Sequence, residues 1–106
     1  MEQKKEKKEN EVLVGKKPFI KYIQSIEHLF IRKGLSTIVI KARGRNVSLA
    51  VDLAEASKNK FFKDLNLSIE DIKTKTEENK KIIDGKETDE IFSVSCIEIT
   101  LSKKKE

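Results

Sequence analysis

The stretch Thr37-Ile38-Val39-Ile40-Lys41-Ala42-Arg43-Gly44-Arg45-Asn46 decides the fold. Its first six residues are rich in β-branched and aliphatic side chains, so they predict a strand. The Arg-Gly-Arg segment that follows predicts a tight turn, because glycine tolerates backbone angles that other residues avoid. Asn46 is a residue type that caps the first turn of a helix. The stretch therefore predicts a strand, a basic turn and the start of a helix.

The segments on either side continue this alternation. Residues 11–15 are short, β-branched and end at a glycine, which predicts a first strand. Residues 18–33 place apolar side chains on one helical face, begin with proline and stop just before Gly34, which predicts a first helix. A second helical face starts at Asn46 and continues to about Lys63.

Two further strands complete the predicted fold. They cover about 67–76 and 90–101, and they are joined by a long polar hairpin with Asp84-Gly85 as its turn. The element order β-α-β-α-β-β predicts an α+β domain, with a four-stranded mixed sheet and two helices on one face. A chain of 106 residues has room for one such domain.

The apolar pattern of the last two strands changes parity. The apolar residues of the last strand are Phe92, Val94 and Cys96, then Ile97, Ile99 and Leu101. Such a change moves the apolar face to the other side of the sheet. A β-bulge could cause it, or the hairpin could leave its own core and pack on a second subunit; we favour the second explanation in part. Cys96 is expected to pack in the core.

Charge is distributed unevenly along the chain. The net charge is +5 and the pI is about 9.3. Residues 1–45 hold 12 Lys and Arg against 5 Glu, a net of +7, whereas residues 46–106 hold 11 Lys against 13 Asp and Glu, a net of −2. A basic first half indicates a polyanionic partner, either nucleic acid or an anionic membrane surface, although it also suits a solvated lysine-rich surface.

Several classes are excluded by what the sequence lacks. No apolar run approaches the length of a membrane span, and the first ten residues contain no apolar signal segment. One Cys and one His argue against a structural zinc site, and a lone Cys fits a reducing compartment. We expect no cofactor and no catalytic constellation. Residues 1–10 and 102–106 are charged tails that we expect to be disordered, and residues 11–101 form the domain.

Two basic clusters each follow a strand and precede a helix. The first is Gly15-Lys16-Lys17-Pro18, with Lys21 one helical turn further on. The second is the Arg-Gly-Arg turn, whose guanidinium groups match phosphate and base edges. If the first two strands are parallel, both clusters lie at one edge of the sheet and form one basic face.

These residues resemble the Alba family. The resemblance is carried by Glu11-Val12-Leu13-Val14-Gly15-Lys16-Lys17-Pro18, Tyr22, Ile38-Val39-Ile40-Lys41-Ala42-Arg43-Gly44-Arg45, Ala50-Val51-Asp52 and Lys58-Asn59-Lys60-Phe61. It covers roughly residues 11–101. It implies a small dimeric protein with the fold of the C-terminal domain of translation initiation factor three. It also implies binding to double-stranded DNA and RNA, either in archaeal chromatin or in eukaryotic RNA metabolism.

The resemblance assigns roles to particular residues. It implies that Lys16 and Lys17 contact the nucleic-acid backbone and are sites of regulatory acetylation, which would remove charge. It implies that Arg43 and Arg45 form the central contacts, and that Phe61 joins one dimer to the next. The hairpin would be an arm that reaches along a groove.

The arm departs from that pattern. Residues 73–90 hold five lysines against six acidic residues and no arginine, whereas a reader of the minor groove would use arginine. We therefore expect the central basic face to dominate binding. The arm lysines that we expect to touch phosphates are Lys75, Lys80, Lys81 and Lys86.

The roles of four further residues depend on which way their side chains face. Tyr22 either stacks on a base or packs at the edge of the core. Asn46 either contacts nucleic acid or only caps a helix. Phe61 and Phe62 cannot both face inward from one helix, so one of them is expected to be exposed in a self-association patch that we assign to both.

The combined prediction is a sequence-tolerant DNA- and RNA-binding protein that coats nucleic acid as a homodimer, or as a heterodimer with a paralogue. It is expected to be a non-enzymatic, intracellular protein with no membrane partner. It would lie on the chromosome or in the cytoplasm of an archaeon, or in the nucleus or cytoplasm of a protist. The alternatives are an RNA-binding RNP subunit or translational regulator, and a protein-interaction scaffold.

Overall fold

The chain alternates strands and helices in the predicted order. The computed structural model describes residues 9–103; the rest of the two predicted tails, residues 1–8 and 104–106, lies outside this range. The elements are β1 (Glu11–Leu13), α1 (Phe19–Glu27), β2 (Thr37–Arg43), α2 (Val47–Ala56), β3 (Leu67–Ile83) and β4 (Lys86–Lys103). Each helix continues into a wider π-type turn, and these turns are His28–Arg32 and Ser57–Phe61. Short 3₁₀ turns, Gly44–Asn46 and Lys63–Leu65, precede α2 and β3.

The strands form one mixed sheet in the order β1-β2-β4-β3. β1 runs parallel to β2, with Leu13 opposite Lys41. β4 is antiparallel to both β2 and β3. The predicted α+β class and the four-stranded mixed sheet are confirmed.

The helices cover one face of this sheet. The largest fully buried apolar side chains come from both layers, and they are Phe30, Ile26, Ile38, Ile40, Leu53, Ile99 and Leu101. The first helical segment ends as predicted at Gly34, which has a φ of 67°. The Leu35 N–H then donates to the Leu29 carbonyl at 3.0 Å and satisfies one of the last carbonyls of the helix.

The hairpin is longer than its apolar pattern indicated. Strand pairing continues to the predicted turn, where Asp84 and Gly85 both have positive φ, 51° and 78°, as a two-residue hairpin loop of type I′ requires. Residues 77–83 and 86–89, most of which are polar, are therefore strand, although the prediction left them outside both strands. Their ladder of backbone bonds does not depend on apolar alternation, which is why the pattern missed them.

The predicted start of the C-terminal tail, residue 102, is wrong by two residues. Ser102 lies opposite Thr37 in the sheet, and the two hydroxyls are 3.0 Å apart. Lys103 is the last residue of β4, and its amine donates to the Phe30 carbonyl at 3.0 Å. Ser102 and Lys103 therefore belong to the folded domain.

The change of apolar parity coincides with a bulge in β3 but not in β4. In β3 the register moves from Ile69 opposite Leu101 to Asp71 opposite Thr100, so one extra residue forms a bulge. Ile72 thereby stays on the helix side. β4 has no such shift near Cys96 and Ile97, which are both buried although neighbouring side chains point to opposite faces. Cys96 is thus buried, as expected, but on the face of the sheet that the helices do not cover.

Beyond the end of β2 the hairpin extends as a two-stranded arm. The molecule measures 53 × 26 × 24 Å along its principal axes. Large apolar side chains on the arm are exposed, and they are Ile82, Ile83, Ile91 and Phe92. Within residues 9–103, no helix has the length and apolar character needed to cross a membrane.

Candidate nucleic-acid interface

The loop that carries Lys16 and Lys17 is tied down by Tyr22. The Tyr22 hydroxyl accepts hydrogen bonds from the Gly15 N–H at 2.7 Å and from the Lys17 N–H at 2.9 Å. Only 4% of Tyr22 is exposed, so the ring has no free face on which a base could stack. The stacking reading of Tyr22 is wrong for this conformation. Tyr22 instead holds the loop in the shape that leaves both lysines in solvent.

The lysine loop and the arginine turn leave the sheet at the same end. β1 and β2 are parallel neighbours, and the Val14 N–H donates to the Lys41 carbonyl at 2.9 Å. The chain therefore enters the loop at Gly15 and the turn at Arg43 from equivalent levels of adjacent strands. The prediction that both basic clusters lie at one edge of the sheet required β1 and β2 to be parallel, and they are.

The arginine turn packs against the base of the arm. Gly44 has a φ of 61°, and a Cβ placed on it would lie 3.8 Å from Cγ1 of Val94 in β4. Arg45 is exposed and makes no ion pair with residues 9–103. Asn46 is the N-cap residue of α2, the position that the sequence predicts for it, but its side chain makes no capping hydrogen bond.

Arg43 is held by the arm. Its guanidinium Nη2 lies 3.5 Å from Oε1 of Glu77 on β3. Oε2 of the same carboxylate lies 3.8 Å from Nζ of Lys75. The arm therefore places one acidic group between two of the predicted binding residues. Glu77 was missed at the sequence level, because only the pairing register shows which face of the arm it occupies.

Lys41 adds no free charge to the site, since it belongs to an ion-pair network on the open face of the sheet. Its amine lies 2.8 Å from the buried carboxylate of Glu11 and 3.8 Å from the partly exposed carboxylate of Glu98. The hydrogen bond to Glu11, helped by the negative charges of both carboxylates, raises the pKa of Lys41 above its ordinary value of 10.5. Partial burial opposes this rise and is outweighed.

The remaining predicted lysines fall into two groups. On the arm, Lys75 pairs with Glu77, and Lys81 pairs with Glu90 at 3.7 Å. Among the predicted binding residues, the exposed cations without a carboxylate partner in the described part of the chain are Lys16, Lys17, Lys21, Arg45, Lys80 and Lys86. The first four lie in or beside the lysine loop and the arginine turn, so this end of the sheet carries charge that no carboxylate of residues 9–103 neutralises.

The tandem phenylalanines point in different directions. Phe61 is 43% exposed, whereas Phe62 is 8% exposed and belongs to the core. The expectation that one of the pair faces outward is confirmed. The assignment of Phe62 to a contact between dimers is wrong, because its side chain is buried, and Phe61 is the residue available for such a contact.

Comparisons with known proteins identify relatives over most of the chain. The profile of the Alba family matches residues 10–76. The DNA/RNA-binding protein Alba of Nanoarchaeum equitans is 42% identical over 89% of this chain and 98% of its own length. The DNA/RNA-binding protein Alba 1 of Archaeoglobus fulgidus is 41% identical over 91% of this chain and 98% of its own.

Solved structures agree with the fold. Alba from Thermoplasma volcanium superposes with a TM-score of 0.73 at 37% identity, covering 89% of this chain and all of that one. ALBA1 from Trypanosoma brucei gives a TM-score of 0.67 at 21% identity, covering 92% of this chain and 72% of that one. The second likeness, at that identity, concerns the fold alone.

Proposed function

Since this chain belongs to the Alba family, we propose that it binds double-stranded DNA and RNA with little sequence preference, through the end of the sheet that carries Lys16, Lys17, Lys21, Arg43 and Arg45. The relatives named as DNA/RNA-binding proteins support this proposal. The observation that carries it is the parallel pairing of β1 and β2, which brings the lysine loop and the arginine turn to the same end of the sheet. Of the five cations named, only Arg43 makes an ion pair with residues 9–103.

The mechanism is electrostatic. Duplex nucleic acid holds a condensed layer of counterions, and each phosphate neutralised by the protein releases them. If Lys16, Lys17, Lys21 and Arg45 each neutralise one phosphate, the log–log dependence of affinity on salt has a slope of about −4 per protomer. Base edges contribute little to this energy, so sequence preference is low.

We further propose that the protein acts as a dimer that coats its ligand. A two-stranded arm is only marginally stable alone, and this one exposes Ile91 and Phe92. Burial against a second copy would remove that apolar surface from water. The exposed ring of Phe61, with the Lys60 amine 5.9 Å from its centroid, is then available for contact between neighbouring dimers. A chromatin role follows if the physiological ligand is duplex DNA.

The test compares two double variants with the same loss of charge. Lys16→Gln with Lys17→Gln removes two cations from the proposed site. Arg32→Gln with Lys33→Gln removes two exposed cations from the other end of the first helical segment. Affinity is measured over a salt series on duplex DNA, on duplex RNA of matched sequence and on single-stranded RNA.

The first double variant is expected to reduce the slope by about 1.8 per protomer, and the second to leave it nearly unchanged. Equal losses in both variants would mean that binding follows net charge and not this site. The ranking of the three nucleic acids at one salt concentration separates a chromatin protein from an RNA-binding regulator. Light scattering of the free protein gives its oligomeric state.

A further inference from the structure

We propose that Glu77 is an affinity-determining residue that occupies a phosphate position in the basic site and must be displaced when nucleic acid binds. The inference rests on the proposed function, because it deepens the account of the same site. It starts from the carboxylate of Glu77, which contacts Arg43 through one oxygen and Lys75 through the other, at 3.5 and 3.8 Å.

The geometry is that of an anion shared by two cations. A phosphate group presents several oxygens to arginine and lysine in the same way, so the carboxylate and a phosphate compete for the same positions. Arg43 is 57% exposed and Lys75 is 56% exposed, which leaves both open to an incoming strand. Glu77 itself is only 30% exposed, because it lies between them.

The pairing register shows that Glu77, and not its neighbour Glu78, faces Arg43 and Lys75. Arg43, Cys96 and Lys75 lie opposite one another across β2, β4 and β3. Glu77 lies two residues further along β3, so it shares their face of the sheet. Glu78 points to the opposite face, is exposed, and makes no ion pair with residues 9–103. The structure therefore contains a neighbouring carboxylate of equal charge that lacks the contact.

The experiment compares Glu77→Gln with Glu78→Gln in the full chain. Both changes remove one negative charge from the same strand and keep the size of the side chain. For Glu77→Gln, we expect affinity for duplex DNA to rise about fivefold, the factor that corresponds to one contact between unit charges at about 4 Å in water. Glu78→Gln should change affinity by less than about twofold, because exposed charges at longer range are screened.

Three results would overturn the inference. Equal gains in both variants would show an effect of net charge alone. No gain from Glu77→Gln would show that the carboxylate does not compete. A loss of affinity would show that Glu77 orients Arg43 for binding.

A second measurement keeps the two proposals apart. Inorganic phosphate is titrated into both variants and the wild type, and the side-chain N–H signal of Arg43 is followed by NMR. The half-saturating phosphate concentration should be about fivefold lower for Glu77→Gln, and no difference would refute competition at this position. If no form of the protein binds nucleic acid, the proposed function fails, and the phosphate titration still decides the role of Glu77.

Discussion

Replacing Tyr22 with Phe removes one oxygen atom and keeps the buried ring. That oxygen accepts the N–H groups of Gly15 and Lys17, so both donors lose their protein partner. The net charge and the number of lysines stay the same. The substitution therefore tests whether the shape of the lysine loop matters separately from its charge.

The size of the effect follows from the two bonds. A hydrogen bond within a protein contributes about 1 kcal/mol net, so losing two costs about 2 kcal/mol of folding free energy. With a urea dependence of about 2 kcal/mol per molar for a small domain, the unfolding midpoint falls by about 1 M. Binding is expected to weaken about fivefold, because ordering one released residue costs about 1 kcal/mol.

The assay combines urea unfolding, amide hydrogen exchange and binding to duplex DNA. Protein concentration is held constant, since the stability of a dimer depends on it. The control is Ser25→Ala, which removes an exposed hydroxyl that donates to the Lys21 carbonyl at 3.1 Å on the same helix. It should change stability by no more than about 0.5 kcal/mol.

The Gly15 and Lys17 amides should lose protection in Tyr22→Phe before the rest of the domain does. The reasoning is refuted if Tyr22→Phe unfolds at the wild-type midpoint with unchanged exchange at both amides. If stability falls but affinity does not, Tyr22 stabilises the loop without contributing to binding.

Three further substitutions give testable predictions. Lys41→Gln removes the cation beside buried Glu11 and should cost about 1–2 kcal/mol at neutral pH, allowing for the partial exposure of Lys41. Because the folded-state pKa of Lys41 is raised, this contribution is complete below pH 10.5 and is lost as the pH rises through the raised pKa. Urea unfolding of both proteins at pH 7 and at a pH above 10.5 should show the difference shrink; a constant difference would contradict the ion-pair account. Phe62→Ala should cost about 3–5 kcal/mol, because the ring is buried. Phe61→Ala should leave folding within about 1 kcal/mol of wild type and reduce cooperative binding along long duplexes, and undiminished cooperativity would rule out Phe61 as the contact.

Most of the fold was predictable because local patterns coincide with it. The β-branched run 37–42 and the apolar face of 18–33 each match one periodicity, and their ends at Arg43 and Gly34 coincide with turns. The hairpin turn at Asp84 and Gly85 was predictable from residue type alone. The outer parts of β3 and β4 were not, because most of their side chains are polar and the few apolar ones, Ile82, Ile83 and Ile91, do not alternate along a strand.

The candidate site was predictable in its residue types but not in their roles. Nothing local to Tyr22 reveals that its hydroxyl accepts two bonds from a loop five and seven residues earlier. The pairing of Arg43 with Glu77 joins residues on two strands separated by a third, and a one-residue bulge determines which acidic residue faces the arginine.

The sequence by itself determined the order of the elements, the basic character of the first half of the chain and the two turns that carry that charge. These properties follow from residue type and from spacings of two to four residues, which act within a single strand or helix. Only the tertiary structure decided which charges remain free, because ion pairing depends on distances between strands. Those distances depend on parallel pairing, a bulge and the twist of a sheet, and a short window of sequence contains none of them.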